Sequence, residues 1–349
     1  MSPQPLGVAV AGLGFGEKVH LPALAAAPDL EAVALWHPRQ ERLDAATAAH
    51  GLKGFSDWDA LLADPAVDAV IIATPPAPRF DLARRALEAG KHLLLEKPIA
   101  LHADQARELQ RLALARGLSV AVDYEYRAVP LFMQAARLLQ AGAVGTPWLV
   151  KLDWLMGSRA DPQRGWNWYA QADQGGGVIG ALGTHAMDML AWLIGPLGAV
   201  QALNSVSIKQ RPHPDGGLAA VDASDVSLLQ TVAHWQGRQD LPVPAQVSLS
   251  SVSRNGRGFC LDVVGSSGSL LLSSTNQKDY VHGFELQHAP LGEPFRAVEA
   301  DADFAFPETW ADGRIAPVAR VLGWWAESIR SGQPMLPGLA EGVASRVAC

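Results

Sequence analysis

The strongest constraint on this chain is an apolar segment that runs directly into a glycine-rich turn near the amino terminus. Residues 6–11 are all apolar or glycine, and Gly12, Gly14 and Gly16 follow at alternate positions. A short apolar run of this kind predicts a buried parallel strand. Glycines between such a strand and a helix permit a tight turn and a close approach of the backbone to a phosphate. The third glycine of the usual dinucleotide-binding motif would fall at Glu17, one residue after Gly16.

Strand and helix patterns continue to alternate as far as about residue 123. We predict strands at 31–36, 67–73, 91–96 and 118–123, with helices over 39–50, 79–89 and 101–116 between them. Such alternation is typical of βαβ units and of a doubly wound parallel sheet. The first domain, residues 1–124, is therefore predicted to be a dinucleotide-binding Rossmann domain of the α/β class.

The pattern changes in the second part of the chain, residues 125–349. We predict helices at 130–140 and 181–194, a polar loop at 209–224, and strands at 147–155, 199–207, 225–233, 246–254, 259–264 and 269–273. This pattern favours an α+β domain with a large, mostly antiparallel open sheet and helices on one face. Because an open sheet leaves one face needing cover, we expect this domain to bind substrate and to mediate oligomerisation.

Composition excludes several classes of function. The 349 residues include 49% hydrophobic and 18% charged residues, which is enough to bury two cores. The formal net charge of −7 and the absence of a Lys/Arg cluster along the sequence argue against a nucleic-acid partner. No apolar run approaches the roughly 20 residues that a membrane helix needs, so we expect no membrane partner.

Cysteine and histidine usage predicts a cytoplasmic protein without a metal. Cys260 and Cys349 are too few for a disulfide framework or a thiolate metal site, which favours a reducing compartment. The chain enters its first strand without a basic, apolar leader. No metal-ligand spacing is present, since His213, His234, His282 and His288 are scattered singly.

The end of the second strand usually selects between NAD and NADP. A carboxylate there holds the 2′-hydroxyl of NAD, whereas an arginine accommodates the 2′-phosphate of NADP. Here the segment contains Trp36, His37 and Arg39, and no acid. We therefore predict NADP, with NAD as the alternative if Arg39 only opens the next helix. The predicted cofactor contacts are these three residues and the turn formed by Gly12, Leu13, Gly14, Phe15 and Gly16.

Further motifs resemble those of one known family. Residues 71–76 (Ile-Ile-Ala-Thr-Pro-Pro), 86–92 (Ala-Leu-Glu-Ala-Gly-Lys-His) and 96–98 (Glu-Lys-Pro) follow one another in the order seen in the Gfo/Idh/MocA family of sugar and polyol dehydrogenases. The likeness extends to later segments, namely the glycines at 175–177, Gly183-Thr184-His185 with Asp188, and residues 265–270 and 337–342.

The resemblance implies a fold and a reaction. A Rossmann domain would precede an open-faced α/β domain, and the chain would form a homodimer or homotetramer. Hydride would pass between a nicotinamide and a carbon of a small-molecule substrate of the sugar or polyol type. Cofactor contacts carried over from the motifs are Ala73, Thr74, Pro75, Glu96 and Lys97.

The resemblance also assigns two catalytic residues. Lys97 would polarise the reacting carbonyl or stabilise the alkoxide. His185 would relay the proton, since an imidazole titrates near neutral pH. The alternatives are that Lys97 is a solvated loop charge and that His185 is a buried, hydrogen-bonded core residue.

The substrate is predicted to meet a loop rich in tryptophan and arginine that precedes the glycine triplet. Aromatic faces pack against the C–H faces of sugars, and arginine donates hydrogen bonds to hydroxyls or carboxylates. The predicted substrate contacts are Lys97, Tyr124, Arg164, Trp166 and His185. The alternative for Trp166 and the nearby Trp168 is that they pack to close a domain.

The chain departs from the family pattern at three places. Ala181 stands where an aspartate often lies one helical turn before the histidine, and Arg79 stands where a histidine is common. Residues 123–127 replace an Asn-Arg-Arg-like segment. Loss of the aspartate would weaken the proton relay without removing the hydride path. Asp188, three residues after His185, could face it on a helix.

We predict an NAD(P)-dependent oxidoreductase acting on a sugar, a polyol or a related carbonyl or alcohol. One alternative is a nucleotide-binding sensor or regulatory protein that has lost turnover. Ala181 favours this alternative, whereas the retained Lys97 and His185 oppose it. A second alternative is a reductase of a non-sugar ligand, such as a tetrapyrrole or an imine. The fold cannot decide among these, because substrate chemistry resides in loops.

Overall fold

A computed structural model describes residues 4–349, and its internal contacts divide the chain into two compact units. The first unit contains the residues up to Ala128 together with Glu308–Arg346. The second contains Val129–Pro307 and Val347–Cys349. The predicted boundary after residue 124 lies close to the break at Ala128. The sequence did not indicate that residues 308–346 return to the first unit.

The first unit is built on a six-stranded parallel sheet with the strand order β3-β2-β1-β4-β5-β6. The strands are β1 Leu6–Ala11, β2 Leu30–Trp36, β3 Lys53–Phe55, β4 Ala69–Ile72, β5 His92–Leu95 and β6 Val120–Val122. Chain order reverses between β1 and β4. Ligands of doubly wound sheets bind outside the carboxyl ends of the strands at such a switch point.

Helices connect these strands, as the alternating pattern predicts. They are a π-helical turn Gly16–His20, α1 Leu21–Ala25, α2 Gln40–His50, α3 Trp58–Leu62, α4 Pro76–Glu88, α5 Ala103–Arg116 and a 3₁₀ turn Glu125–Ala128. The π-helical turn and α1 form one continuous helical run after β1. The short β3 and α3 were not predicted, because three- and five-residue elements carry too little periodicity to be recognised.

The second unit is built on an eight-stranded mixed sheet with the order β16-β15-β14-β13-β7-β12-β11-β8. Its strands are β7 Pro147–Leu155, β8 Gln201–Ser205, β11 Val226–His234, β12 Pro242–Ser250, β13 Gly258–Gly265, β14 Gly268–Ser274, β15 Glu285–Pro290 and β16 Arg296–Ala297; β9 Gln210–Pro212 and β10 Leu218–Ala220 form a separate hairpin. β7 and β12 are parallel, and the other neighbours are antiparallel. The predicted fold class is confirmed.

Two local predictions in this unit were wrong. The strand predicted at 246–254 begins four residues earlier, at Pro242, and ends at Ser250. The prolines Pro242 and Pro244 lie in the part of β12 that β7 does not pair, where a missing N–H breaks no ladder on that side. The predicted loop at 209–224 contains the β9–β10 hairpin.

The second unit also contains helices and short helical turns. They are α6 Pro130–Gln140, α7 Thr184–Leu193, the π-helical turn Ile179–Gly183, and 3₁₀ turns Trp168–Ala170, Trp235–Gly237 and Ala302–Phe304. Along β11, buried and exposed residues alternate, with Leu228 and Val232 on the exposed side. Leu203 of β8 is exposed and pairs with Leu228.

The carboxyl-terminal helices α8 Ile315–Ser331 and α9 Leu339–Ala348 complete the structure. α8 packs in the first unit, where Trp325 is fully buried in the same cluster as Val8 and Val10 of β1. No helix among residues 4–349 is both long enough and apolar enough to cross a membrane.

Candidate functional site

The glycine turn after β1 is shaped by close backbone contacts. Gly12 has a φ of +106°, and a Cβ there would lie 2.7 Å from the carbonyl oxygen of Ala73. A Cβ on Gly16 would lie 2.8 Å from Cγ1 of Val10. Gly16 thus provides the close helix–strand packing that the third glycine of the usual motif supplies, which accounts for Glu17 at the next position.

The space above this turn fits a dinucleotide. Gly14 is exposed, and no other atom lies within 4 Å of where its Cβ would be. Beside the turn, the Oγ1 of Thr74 is buried and has no hydrogen-bond partner among the described residues. Since buried hydroxyls are normally paired, this atom marks a place for a ligand group. Leu13 is buried and Phe15 half-buried, so only the backbone of the turn is open to a pyrophosphate.

The end of β2 carries no carboxylate. Trp36 is buried and packs edge-on against Trp58, with ring centroids 5.0 Å apart, so it belongs to the core. The backbone N–H of Arg39 donates to Nδ1 of His37 (3.1 Å), and the exposed Arg39 caps α2. Burial lowers the pKa of His37, and the nearby charge of Arg42 lowers it further.

Lys97 follows β5 in a loop that a buried arginine holds in place. Arg79 of α4, only 3% exposed, donates to the carbonyl oxygens of Glu96 (2.7 Å), Pro98 and Thr74. Burial lowers its pKa to about 10, and the charge of Glu96 opposes that shift, so Arg79 is cationic at neutral pH. Arg79 therefore fixes the backbone on both sides of Lys97. The sequence marked Arg79 only as a departure from the family pattern.

A histidine and two carboxylates meet beside this loop. The ring of His20 is fully buried, and its Nε2 lies 3.0 Å from Oε1 of Glu96 and 3.6 Å from Oδ2 of Asp123. These residues follow β1, β5 and β6 respectively, so the carboxyl edge of the parallel sheet brings them together. Neither His20 nor Asp123 was predicted as a site residue. Polar residues just beyond successive apolar strands were the available signal.

The pKa values of the two carboxyl groups in this cluster are shifted in opposite directions. Burial would raise the pKa of Glu96, but the hydrogen bond with His20 and the charges of His20, Lys97 and Arg79 lower it to about 2. Burial, together with the charges of Glu96 and Glu125, raises the pKa of Asp123 well above its ordinary value. Glu96 therefore keeps its charge to a lower pH than an ordinary glutamate, and Asp123 keeps its proton to a higher pH than an ordinary aspartate, as expected for coupled acids.

The same cluster offers a donor set for a metal ion. His20, Glu96 and Asp123 each supply one ligand atom, and these atoms lie within 4.8 Å of one another. A divalent cation there would face the positive charges of Arg79 and Lys97, both of which act on Glu96. Like-charge repulsion opposes such an ion, and a shared proton satisfies the carboxylates without it. We interpret the cluster as a support for the Lys97 loop.

His185 lies in the second unit, on α7. It is 3% exposed, and its ring centroid lies 6.2 Å from that of Trp154 on β7. Asp188 is buried on the same helix, and Ala181 is half-buried in the π-helical turn before it. The glycine triplet fits its loop tightly, since a Cβ on Gly177 would lie 2.6 Å from the carbonyl oxygen of Ser224.

The remaining predicted substrate contacts differ in exposure. Arg164 is exposed, and the half-buried Trp166 donates from Nε1 to the carbonyl oxygen of Ala220 (2.8 Å). Tyr124 is 1% exposed, and its hydroxyl is hydrogen-bonded to Ser345. This burial does not favour the substrate contact predicted for Tyr124. Lys97 and Tyr124 belong to the first unit, and Arg164, Trp166 and His185 to the second.

A Rossmann sheet with a glycine turn open to a pyrophosphate is typical of nicotinamide-dependent oxidoreductases. Residues 6–124 match the Gfo/Idh/MocA oxidoreductase family with its NAD-binding Rossmann fold, and residues 136–347 match that family's C-terminal alpha/beta domain. The chain belongs to this family, which confirms the resemblance read from its motifs.

Individual relatives agree with this assignment. An uncharacterized oxidoreductase of Synechocystis sp. is 42% identical over 346 residues, covering 98% of this chain and 91% of that protein. Levoglucosan dehydrogenase of Pseudarthrobacter phenanthrenivorans is 31% identical over 228 residues, covering 62% of this chain and 58% of that protein. A solved structure of levoglucosan dehydrogenase with NADH and L-sorbose has the same fold, with a TM-score of 0.87 at 24% identity, covering 99% of this chain and 94% of that one.

Two glycine substitutions are expected to separate folding from cofactor binding. Gly16→Ala places a methyl group against Val10 and should lower the free energy of unfolding by about 1–3 kcal/mol. Gly14→Ala adds a methyl group in open space, so it should leave stability unchanged but weaken binding of the nicotinamide dinucleotide by about tenfold or more. Thermal melts without cofactor and fluorescence titration with NADH and NADPH measure the two effects. Equal melting temperatures for wild type and Gly16→Ala would contradict the packing argument.

Asp123 and Glu96, beside the Lys97 loop, are expected to make the free energy of unfolding depend on pH in opposite directions. Because folding raises the pKa of Asp123, its stabilisation is greatest below the ordinary value of 3.8 and declines as pH rises through the raised pKa. Asp123→Asn should therefore become progressively more stable than wild type as pH rises through that window.

Glu96 has a lowered pKa, so its stabilisation is present above 4.5 and is lost as pH falls towards 2. Glu96→Gln should thus lose about 3–5 kcal/mol near neutral pH, and this deficit should shrink in acid. Urea unfolding of all three proteins between about pH 2 and pH 8 provides the comparison. Parallel stability curves for wild type and Asp123→Asn would show that Asp123 carries no extra proton.

Proposed function

We propose that this oxidoreductase transfers hydride between NADP(H) and a carbon of a sugar or polyol. The observation that carries the proposal is the fixed position of Lys97, whose loop is clamped by Arg79 and supported by Glu96 in the unit that holds the glycine turn. A relative named levoglucosan dehydrogenase supports a sugar-type substrate.

Lys97 would act on the reacting oxygen of the substrate. When bound, a nicotinamide supplies or accepts the hydride. The Lys97 ammonium group polarises a substrate carbonyl in reduction, or stabilises the alkoxide in oxidation. Arg79 restrains the peptide groups that flank Lys97, so the ammonium is held without reorganisation during the reaction.

His185 would give or take the proton of the reaction. An imidazole can both give and take a proton near neutral pH. The neighbouring Trp154 ring limits the orientations open to His185. Tyr124 is a poor substitute as proton donor, since its hydroxyl is buried against Ser345.

Ala181 favours a second function, that of a nucleotide-binding sensor. A carboxylate one turn before His185 would orient the imidazole and raise its basicity, and Ala181 supplies none. A protein that binds cofactor but does not turn over would tolerate this replacement. Turnover measurements on wild type and Ala181→Asp with sugars, polyols and ketones separate the two functions. Tight cofactor binding without any turnover in either protein would establish the sensor.

Substitution of the two proposed catalytic residues should give different losses. Lys97→Ala should abolish turnover while leaving NADPH affinity within a few-fold of wild type, because the backbone of the glycine turn binds the pyrophosphate. His185→Ala should lower turnover by about 10²–10⁴-fold. Steady-state kinetics and cofactor titration test both changes. Lys53→Ala removes an exposed lysine from the same unit and should leave turnover unchanged. Near-normal turnover in Lys97→Ala would overturn the assigned role.

The preference for NADP follows from the charges at the end of β2. Arg39 and Arg42 both act on His37, and no carboxylate lies between Trp36 and Arg39. We expect NADPH to bind more tightly than NADH, and Arg39→Ala to narrow the difference. Fluorescence titration of both cofactors measures it, with Arg111→Ala on α5 as a matched control. A clear preference of the wild type for NADH would refute the prediction.

A homo-oligomer, a dimer or a tetramer, is proposed from the exposed face of the second unit's sheet. Leu203 and Leu228 are 68% and 42% exposed and adjacent across β8 and β11. A second copy of the chain would cover them.

The two free cysteines support the proposed reducing, cytoplasmic location.

Light scattering is expected to show at least a dimer at micromolar concentration. Leu228→Asp should shift the protein towards monomer, because a carboxylate would be buried in the contact. Leu114→Asp is the control, since Leu114 is 76% exposed on α5 of the first unit. A monomeric wild-type protein would exclude this interface.

A further inference from the structure

Three arginines of the second unit donate hydrogen bonds to one short segment, which itself contains a fourth arginine, Arg159. Arg211 of β9 donates to the carbonyl oxygens of Arg159 (2.6 Å) and Asp161 (2.7 Å). Arg254, from the loop after β12, donates to that of Ala160 (2.9 Å). Arg164 reaches back to that of Ser158 (3.1 Å). We call Arg159, Arg164, Arg211 and Arg254 the arginine cluster.

The arginine cluster lacks carboxylate partners. Among residues 4–349, no carboxylate lies within ion-pair distance of any of its guanidinium groups. Other arginines of the same unit do pair, since Arg137 contacts Asp301 and Asp303, and Arg238 contacts Asp240. The guanidinium carbon of Arg159 instead lies 3.5 Å from the centroid of the Tyr169 ring.

The positive charge of the cluster is only partly balanced. Asp225 and Asp161 attract Arg211, but the buried Asp225 already accepts hydrogen bonds from the backbone of Ser207 and Ile208. Arg211 is only 5% exposed, and burying a charge without a counter-charge costs free energy. Rules of local stability are commonly broken in this way where a ligand binds.

The arginines also repel one another. Burial lowers the pKa of Arg159 to about 10, the nearby Tyr169 opposes that shift, and the charges of Arg164 and Arg211 lower it further. Burial and Arg164 likewise lower the pKa of Arg211. An anion placed here would relieve this repulsion.

The cluster lies in the same unit as His185. Its segment continues directly from β7, whose Trp154 contacts the His185 ring. Arg164 and Arg254 are exposed and each spends one hydrogen bond on a carbonyl oxygen. Their remaining N–H groups can hold a planar oxyanion in paired hydrogen bonds. The half-buried Trp166 offers an aromatic face nearby.

We propose that the arginine cluster binds an acidic group of the substrate, so that this enzyme acts on a sugar carrying a carboxylate or a phosphate. The inference rests on the proposed function, because it takes the second unit to bind the substrate. Arg164 and Arg254 contact the oxyanion, and Arg211 holds the segment that presents them.

Calorimetry with NADP(H) at saturation tests the proposal. D-Gluconate, D-glucuronate and glucose 6-phosphate are compared with glucitol and glucose, their neutral counterparts. The acidic ligands should bind at least about tenfold more tightly, and only their binding should weaken as salt rises. The carboxylates and the phosphate ester identify which oxyanion is preferred. Equal affinities for acidic and neutral ligands would overturn the proposal.

Variants locate the effect. Arg164→Gln and Arg254→Gln should each lower the affinity for the acidic ligands by about tenfold or more and leave that for neutral ligands unchanged. Arg238→Gln, an exposed arginine of the same unit paired only with Asp240, should change neither. If Arg164→Gln and Arg254→Gln both retain the preference for acidic ligands, the cluster is not the site.

Turnover distinguishes a failure of this inference from a failure of the proposed function. If neutral sugars are turned over as fast as acidic ones, the proposed function stands and the inference of an acidic substrate is wrong. If acidic ligands bind tightly through the arginines but no substrate is turned over, the cluster is a ligand site and the proposed dehydrogenase function is wrong.

Discussion

The first unit depends on the hydrogen bonds that the buried guanidinium group of Arg79 donates to backbone carbonyls. A cation this deeply buried is stable only when its N–H groups are bonded and its charge is balanced. Carbonyl oxygens of Thr74, Glu96 and Pro98 provide the bonds, and the Glu96 carboxylate provides the charge. Because these carbonyls follow β4 and β5, the loop beside the glycine turn and the loop of Lys97 are joined into one body. His20 extends this connection to the segment after β1.

Arginine is used in opposite ways in the two units. Arg79 is matched by an ionised carboxylate, and it rigidifies backbone that the reaction requires to stay fixed. Arg211 is attracted by Asp225 and Asp161 but repelled by Arg164, and Arg159 is repelled by both Arg164 and Arg211. A compensated buried charge serves structure, whereas an uncompensated one is costly unless a ligand supplies the opposite charge. This difference in electrostatic balance separates a supporting residue from a binding site.

Much of the fold could be predicted, because hydrophobic periodicity and glycine positions are local properties. The strands β1, β2 and β7 and the helix α6 lie where the pattern placed them. β12 was predicted to begin four residues too late, and its prolines Pro242 and Pro244 lie where β7 does not pair with it. The site was predicted less completely. Lys97 and His185 came from motifs, whereas Arg79 received no role and His20 was missed.

The sequence by itself determined the Rossmann class, the glycine turn and the family, because each depends on residues close together in the chain. Tertiary structure alone decided that residues 308–346 return to the first unit, that Tyr124 is buried against Ser345, and that His20 meets Glu96, 76 positions away. The arginine cluster likewise exists only in the folded chain, since β9 and the loop after β12 must fold back onto the segment after β7. Such contacts depend on which strands become neighbours, and strand order is set by packing of the whole sheet, which no local pattern encodes.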